Sequence, residues 1–349
     1  MKNNLSRRDF VRSAAIGGAW LGLSGNVSPL NSNNQAPSGK RVGIIGLDTS
    51  HVTAFTNTLN NPSAEPEFGG YKVVAAFPTK GSADMSFSIN RLAGFTEAVK
   101  KKGVEIVDSI EELLKKVDVV LLESVDGRPH YELALPVLKA GKRMFIDKPI
   151  SSSLSGAMKI FKESEKYKVP IFSSSATRFA PTALEIISGA KTGKILGADT
   201  YSPTGTAIGH PDLFFYGIHG VESLFTIMGP GCQTVVRVNT DGADVVVGTW
   251  NDGRIGTFRG TPAGGKGGFG GTAFGVTGIM PVGGFAGYRP LLVEIVKYFS
   301  SGIVPVKPEE TLEALAFMEA ADISKKNGGA PVSLASVMNS AREQAAKLG

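Results

Sequence analysis

Between Lys40 and Ser173 short apolar runs alternate with longer amphipathic stretches, and this alternation restricts the possible folds more than any other feature of the chain. Arg41–Gly46, Lys72–Phe77, Asp118–Leu122, Arg143–Ile146 and Val169–Ser173 are rich in Val, Ile or Phe and short enough for strands buried on both faces. The stretches between them read as helices. Ser109-Ile110-Glu111-Glu112 is a capping box that opens a helix through Leu113 and Leu114. Pro129 to Ala140 stops at Gly141 despite the interior Pro136, and Leu154 to Tyr167 repeats apolar residues at Ala157, Met158 and Phe161. Strand, helix and strand in regular order imply an α/β fold with a parallel sheet and right-handed crossovers. Ligands of such sheets bind beyond the carboxyl ends of the strands, where the strand order reverses.

A length of 349 residues suits two domains, and 42% hydrophobic against 19% charged residues is enough to build a core. One cysteine, Cys232, excludes an internal disulfide and a cysteine-based zinc site, and no metal ligands are expected. The net charge is +6, but Lys2, Arg7, Arg8 and Arg12 against Asp9 place +3 of it in the first twelve residues. No later block of five or six like charges follows, so nucleic acid is not an expected partner.

Ser6-Arg7-Arg8-Asp9-Phe10-Val11-Arg12 precedes an apolar, glycine-containing run from Ser13 to Leu23. That run has secretory length and is too short to span a membrane. The order resembles a twin-arginine export signal. A polar linker follows, from Asn26 to Gln35. Residues 1–39 are therefore read as signal and linker, 40–174 as the alternating α/β domain and 175–349 as a second domain.

The first strand-to-helix turn, where a dinucleotide would dock, reads Gly46-Leu47-Asp48-Thr49-Ser50-His51. A Gly-x-Gly-x-x-Gly turn uses its second glycine for close approach to pyrophosphate and its third for helix packing. Here Asp48 and His51 hold those two places. Asp48 would repel pyrophosphate unless it turns away to cap the following helix, while Thr49, Ser50 and free backbone N–H groups suit a phosphate. The second strand ends Ala76-Phe77-Pro78-Thr79-Lys80, without the acid that grips an NAD ribose; Lys80 with Ser82 would favour a 2′-phosphate.

Further along come Val117–Leu122, His130, Ala140-Gly141-Lys142, Ile146-Asp147-Lys148-Pro149, Arg178-Phe179-Ala180-Pro181 and Gly217-Ile218-His219-Gly220-Val221-Glu222. In this order and spacing they resemble the glucose–fructose oxidoreductase / inositol dehydrogenase (Gfo/Idh/MocA) family, from Lys40 to the C-terminus. The resemblance implies that 40–174 is a Rossmann domain and that 175–349 is an α+β domain with a large, mostly antiparallel open sheet, serving substrate and oligomer contacts. It also implies tightly bound NAD or NADP and a sugar, polyol or related substrate. Lys148 matches the lysine of the family's Glu-Lys-Pro motif, with Asp147 in place of the glutamate, and is expected to hold the proton of the reacting hydroxyl. His219 matches the histidine of an Asp-x-Gly-x-His-x-x-Asp motif whose first acid is here Phe215 and whose last is Glu222. The cofactor set implied is Gly46, Asp48, Thr49, Ser50, His51, Lys80, His130 and Asp147. The substrate set is Arg178, His210, Tyr216 and Glu222.

Cys232–Val238, Asp244–Trp250 and Arg254–Arg259 read as strands, with Asn251-Asp252-Gly253 as a hairpin turn. Gly260–Gly287 holds twelve of the 44 glycines and reads as a mobile surface loop, after which Glu309 to Ala321 and Val332 to Leu348 read as helices. The leading expectation is an exported, homo-oligomeric oxidoreductase. Two alternatives stand beside it: an NAD-retaining enzyme that cleaves glycosides by oxidation and elimination, and a non-catalytic sugar-binding protein that has lost the cofactor.

Overall fold

The computed structural model describes residues 39–261 and 268–347, which lie in one compact unit. The signal reading of residues 6–23 lies outside them. No helix of the described residues is long and apolar enough to cross a membrane.

The first sheet is parallel and six-stranded, in the order β3-β2-β1-β4-β5-β6. Its strands are β1 Arg41–Ile45, β2 Lys72–Phe77, β3 Glu105–Ile106, β4 Val119–Leu122, β5 Met144–Ile146 and β6 Ile171–Ser173. Five match the apolar runs; β3, two residues long, has no such signature. The connecting helices are α1 Ser50–Leu59, α2 Ser86–Lys100, α3 Ile110–Lys116, α4 His130–Lys139 and α5 Leu154–Lys166. The capping box forms in part as expected: Glu112 N–H donates to Ser109 Oγ at 3.1 Å, while Glu112 Oε2 accepts from Asp108 N–H, one residue before the cap.

Side chains alternate across the strands, so each face of the sheet has its own core. Ile44, Val119, Leu121, Phe145 and Phe172 face α1 and a late helix, α8 (Arg289–Ser301). That helix returns from the end of the second sheet to pack on the first. Tyr298 clamps it there, its hydroxyl donating to Pro170 O at 2.5 Å and accepting from Met144 N–H at 3.1 Å. Ile45, Val120, Leu122, Met144 and Ile146 face the opposite way, in a core continuous with that of the second sheet.

The second sheet has seven strands in the order β12-β11-β7-β10-β9-β8-β13, antiparallel except for the parallel β7–β10 pair. They are β7 Ile195–Pro203, β8 Cys232–Thr240, β9 Ala243–Trp250, β10 Ile255–Thr261, β11 Gly270–Gly275, β12 Ile279–Val282 and β13 Val332–Ser333. The Asn251-Asp252-Gly253 turn joins β9 to β10, with Gly253 at φ +82°. Helices α7 (Ile218–Met228) and α9 (Pro308–Lys326) cover one face; α6 (Pro181–Ser188) and α10 (Leu334–Lys347) complete the fold. Leu196, Tyr201, Ile255 and Ile279 remain exposed.

The glycine-rich segment is corrected by the structure. Its described part is largely strand, forming β11 and β12 against β7. Glycine is demanded there by close approach: a Cβ on Gly271 would stand 2.1 Å from Asp199 O, and one on Gly275 2.1 Å from Thr192 O. Residues 262–267 lie outside the described part.

Candidate active site

A cleft of about 480 Å³ opens at the carboxyl ends of β1, β4 and β5, where the strand order reverses, and its far wall comes from residues around the second sheet, among them Phe215, Tyr216, His219 and Phe269. This volume lies within the range of small-molecule sites. Its floor is the turn from β1 into α1. Gly46 sits at φ +85°, and a Cβ there would meet Ser124 N at 2.6 Å, so only glycine lets the turn lie on the loop after β4.

Asp48 faces inward and is fully buried. Its Oδ1 accepts from Val125 N–H at 2.9 Å and its Oδ2 from Ser88 Oγ at 2.5 Å. Burial pushes its carboxyl above the ordinary value, only partly offset by these hydrogen bonds. It does not cap α1. The start of that helix has no side-chain cap and no acid in its first turn, and Thr49 Oγ1, buried beside it, makes no hydrogen bond. Thr49, Ser50 and His51 all line the cleft.

His51 fills the third glycine place. Its Nδ1 lies 3.0 Å from Asp147 Oδ2 and 3.4 Å from Glu123 Oε2, and its ring meets Tyr288 at 4.4 Å between centroids. Burial disfavours the charged imidazole, but Asp147 and Glu123 outweigh it and raise the value to about 9. Burial beside Asp147 pushes the Glu123 carboxyl up; for Asp147 the burial effect is overcome by His51 and Lys148, which hold it low.

Lys148 follows β5 and enters the cleft with Nζ 5.9 Å from the centre of the Phe215 ring and 5.8 Å from that of Tyr216. His219, in the first turn of α7, faces the same cavity between Tyr216 and Phe269. Ser175 Oγ lies 2.7 Å from its Nδ1, and the other ring nitrogen makes no hydrogen bond among the described residues. Burial, with Lys148 and His51 nearby, pushes His219 well below its ordinary value, so the ring is neutral at pH 7. Phe215 stands where the motif expects an acid and packs against Phe87 and His210.

Thr49, Ser50, His51, Asp147, Lys148, Tyr216 and His219 thus line one cleft, with Gly46 in the turn beneath it, while Asp48, expected beside the cofactor, turns into the core. Other expected site residues lie elsewhere. Arg178 and Glu222 are both 5% exposed and pair with each other at 3.2 Å; Arg178 also pairs with Glu310, and Glu222 accepts from Ser175 N–H at 2.8 Å. They brace the wall behind His219 and do not line the cleft. His210 is a loop anchor, its Nε2 accepting from Gly127 N–H at 3.2 Å. His130 is buried, with its ring nitrogens on Ile150 O and Ser124 O, tying together the loops after β4 and β5. Lys80 is exposed and away from the cavity. Glu123, Ser175, Phe269 and Tyr288 were not anticipated. Glu123 alone carried a signal: an acid directly after an apolar β-run, where ligands dock.

The phosphate and nicotinamide ends of a dinucleotide fit these residues: the uncapped start of α1, the orphaned Thr49 hydroxyl, and Asp147 with Lys148 at the far side. On the adenosine side no acid ends β2. The nearby carboxylates Asp84 and Asp126 both pair with Arg128, and Ser82 Oγ donates to Asp126 at 2.5 Å.

A doubly wound parallel sheet with a cleft at its reversal point, closed by an open mixed sheet, defines the class: an α/β protein with a Rossmann-type sheet. Residues 40–174 match the Gfo/Idh/MocA model, described as an oxidoreductase family with an NAD-binding Rossmann fold. A curated relative, dehydrogenase aclE of Aspergillus oryzae, is 27% identical over 168 residues; the match spans 46% of this chain and 43% of that protein. Among solved structures, a probable dehydrogenase from Thermotoga maritima is 22% identical with a TM-score of 0.69, over 85% of this chain and 99% of that one. Scyllo-inositol dehydrogenase from Lactobacillus casei, crystallised with NAD(H) and scyllo-inositol, is 16% identical with a TM-score of 0.65, over 84% and 99%. At these identities the structural likeness is one of fold.

Proposed function

We propose that this protein is an exported NAD(P)-dependent oxidoreductase that oxidises or reduces a hydroxyl-bearing carbon of a sugar or polyol. The observation that carries the reading is the meeting of Lys148, neutral His219 and the uncapped start of α1 around one cavity. When bound, the nicotinamide supplies the hydride acceptor or donor. Gly46, Thr49, Ser50 and the first N–H groups of α1 hold the phosphates, and Asp147 borders the nicotinamide side. Lys148 hydrogen-bonds the reacting oxygen and holds its proton, as a positioned acid–base group does. His219, oriented through Nδ1 by Ser175, offers its free nitrogen to a second substrate hydroxyl. Phe215, Tyr216, Phe269 and Tyr288 supply apolar walls that exclude water. The polyol class draws support from the inositol dehydrogenase that shares the fold.

Export rests on the Arg7-Arg8 signal, and slow cofactor release would let the loaded protein be exported folded. A second copy of the chain is the proposed cover for Leu196, Tyr201, Ile255 and Ile279 on the open sheet.

The test is mass spectrometry of small molecules released from undialysed protein, with melting curves in millimolar NAD and NADP. A released dinucleotide, or a clear rise in melting temperature, is expected. Protein that carries none and ignores both would turn the reading toward a non-catalytic sugar-binding role. Lysine at positions 7 and 8 should hold the protein in the cytoplasm; unchanged periplasmic recovery would refute export by this route.

A further inference from the structure

We propose that His51, Glu123 and Asp147 form a binding site for one divalent transition-metal ion, zinc or manganese, at the inner end of the cleft. One ligand atom from each lies within 4.8 Å of the other two, and all three residues are buried. Glu123 is fully buried, yet neither of its carboxylate oxygens accepts a hydrogen bond, and His51 Nδ1 makes none either. A buried carboxylate left in that condition is costly unless a cation completes it. The spacing agrees. Donors held about 2.1 Å from one ion stand roughly 3.0 Å apart at right angles and roughly 3.4 Å apart at tetrahedral angles. The separations from His51 Nδ1 are 3.0 Å to Asp147 and 3.4 Å to Glu123.

One imidazole and two carboxylates suit zinc, manganese or ferrous iron more than copper or magnesium. The three ligands come from the first turn of α1 and the ends of β4 and β5, so the sheet and the helix that follows β1 hold them together. His51 and Asp147 line the cleft whereas Glu123 does not, which leaves an open coordination position directed toward the cavity beside Lys148. Three protein ligands and one open position is the pattern of zinc sites that bind a substrate oxygen or water. The ion also resolves a conflict of charge. Two carboxylates at the floor of a phosphate cradle would repel an anion, and a divalent cation between them reverses that field. The competing occupant is a proton on His51, which leaves the approaches to both carboxylates without hydrogen-bond geometry.

The experiment uses untagged full-length protein purified without chelator. Elemental analysis should find one zinc or manganese per chain. Chelator treatment followed by Zn²⁺, Mn²⁺ or Co²⁺ should raise the melting temperature, with Co²⁺ giving visible ligand-field absorption. Glu123→Gln keeps the shape of the side chain and should weaken the ion by more than the ~10–100-fold that loss of an outer-shell partner costs. His51→Ala should do the same, while Glu165→Gln, on the exposed face of α5, should bind as the parent does. Absence of ion from the parent protein, with melting curves indifferent to all three metals, overturns the proposal in favour of the protonated histidine. Unchanged binding by both Glu123→Gln and His51→Ala overturns it as well. Dinucleotide binding followed on the same samples separates failure of this site from failure of the cofactor reading.

Discussion

Asp48 Oδ1 accepts a hydrogen bond from the backbone N–H of Val125 at 2.9 Å, which turns into the core a carboxylate that the sequence places at a phosphate-binding glycine position. The same bond ties the turn after β1 to the loop after β4, the two walls of the reversal crevice.

Asp48→Ala should therefore be a stability variant. It leaves the Val125 N–H and the Ser88 hydroxyl buried without their acceptor, and each such orphan costs about 1–3 kcal/mol. Urea denaturation should show a lower midpoint with an unchanged slope. Parent-like stability would mean that the inward carboxylate contributes nothing.

Lys148→Ala should behave in the opposite way. A positioned acid–base group contributes on the order of 100- to 10,000-fold, so single-turnover hydride transfer on a verified substrate should slow by about that range. The melting temperature should move little, because Nζ makes no hydrogen bond among the described residues and stands 5.8 Å and 5.9 Å from the centres of the Tyr216 and Phe215 rings. Arg at this position should not restore the rate, since its planar fork differs in shape. Transfer at the parent rate would remove Lys148 from the mechanism.

Arg178→Ala tests the residue that the fold moved away from the substrate. Removing one partner of a buried ion pair costs about 3–5 kcal/mol, because the remaining charge is left uncompensated. Here both Glu222 and Glu310 lose their cation. Thermal and urea unfolding should both register the loss. Full stability with only a raised KM would return Arg178 to the substrate pocket.

Cys232 should be inert in the folded protein. Burial, and to a lesser extent Glu313, push its thiol up to about 12. At pH 8 only roughly one thiol in ten thousand is then ionised, and the thiolate is the reactive form. A thiol-specific chromophore should label it only as denaturant unfolds the chain. The unfolded thiol ionises near its ordinary value and the folded one does not, so its contribution to stability is complete below pH 9 and falls as pH rises from about 9 to about 12. Rapid labelling at pH 8 without denaturant would show the site to be open.

What the sequence determined by itself is what neighbouring residues settle among themselves. The apolar runs that became β1, β2, β4, β5 and β6, the Ser109 cap and the Asn251-Asp252-Gly253 turn each follow from a few adjacent side chains. Lys148 after β5 and His219 near Glu222 were legible because a short motif carries them. Tertiary structure decided the rest. The glycines after Gly260 read as a loop because glycine has low strand propensity, yet Gly271 and Gly275 are strand residues where another backbone leaves no space for a Cβ. Arg178 and His210 read as ligand contacts because an isolated cation or imidazole announces no partner; folding supplied Glu222, Glu310 and the Gly127 N–H. Ser50 meets Tyr288 at 3.1 Å across 238 positions, and His51 reaches Glu123 and Asp147 only because β1, β4 and β5 end side by side. Such contacts have no local signature. Their energies depend on chain segments brought together by burying the two sheet faces, and on the loss of water that turns a distant carboxylate into a close neighbour's dominant field.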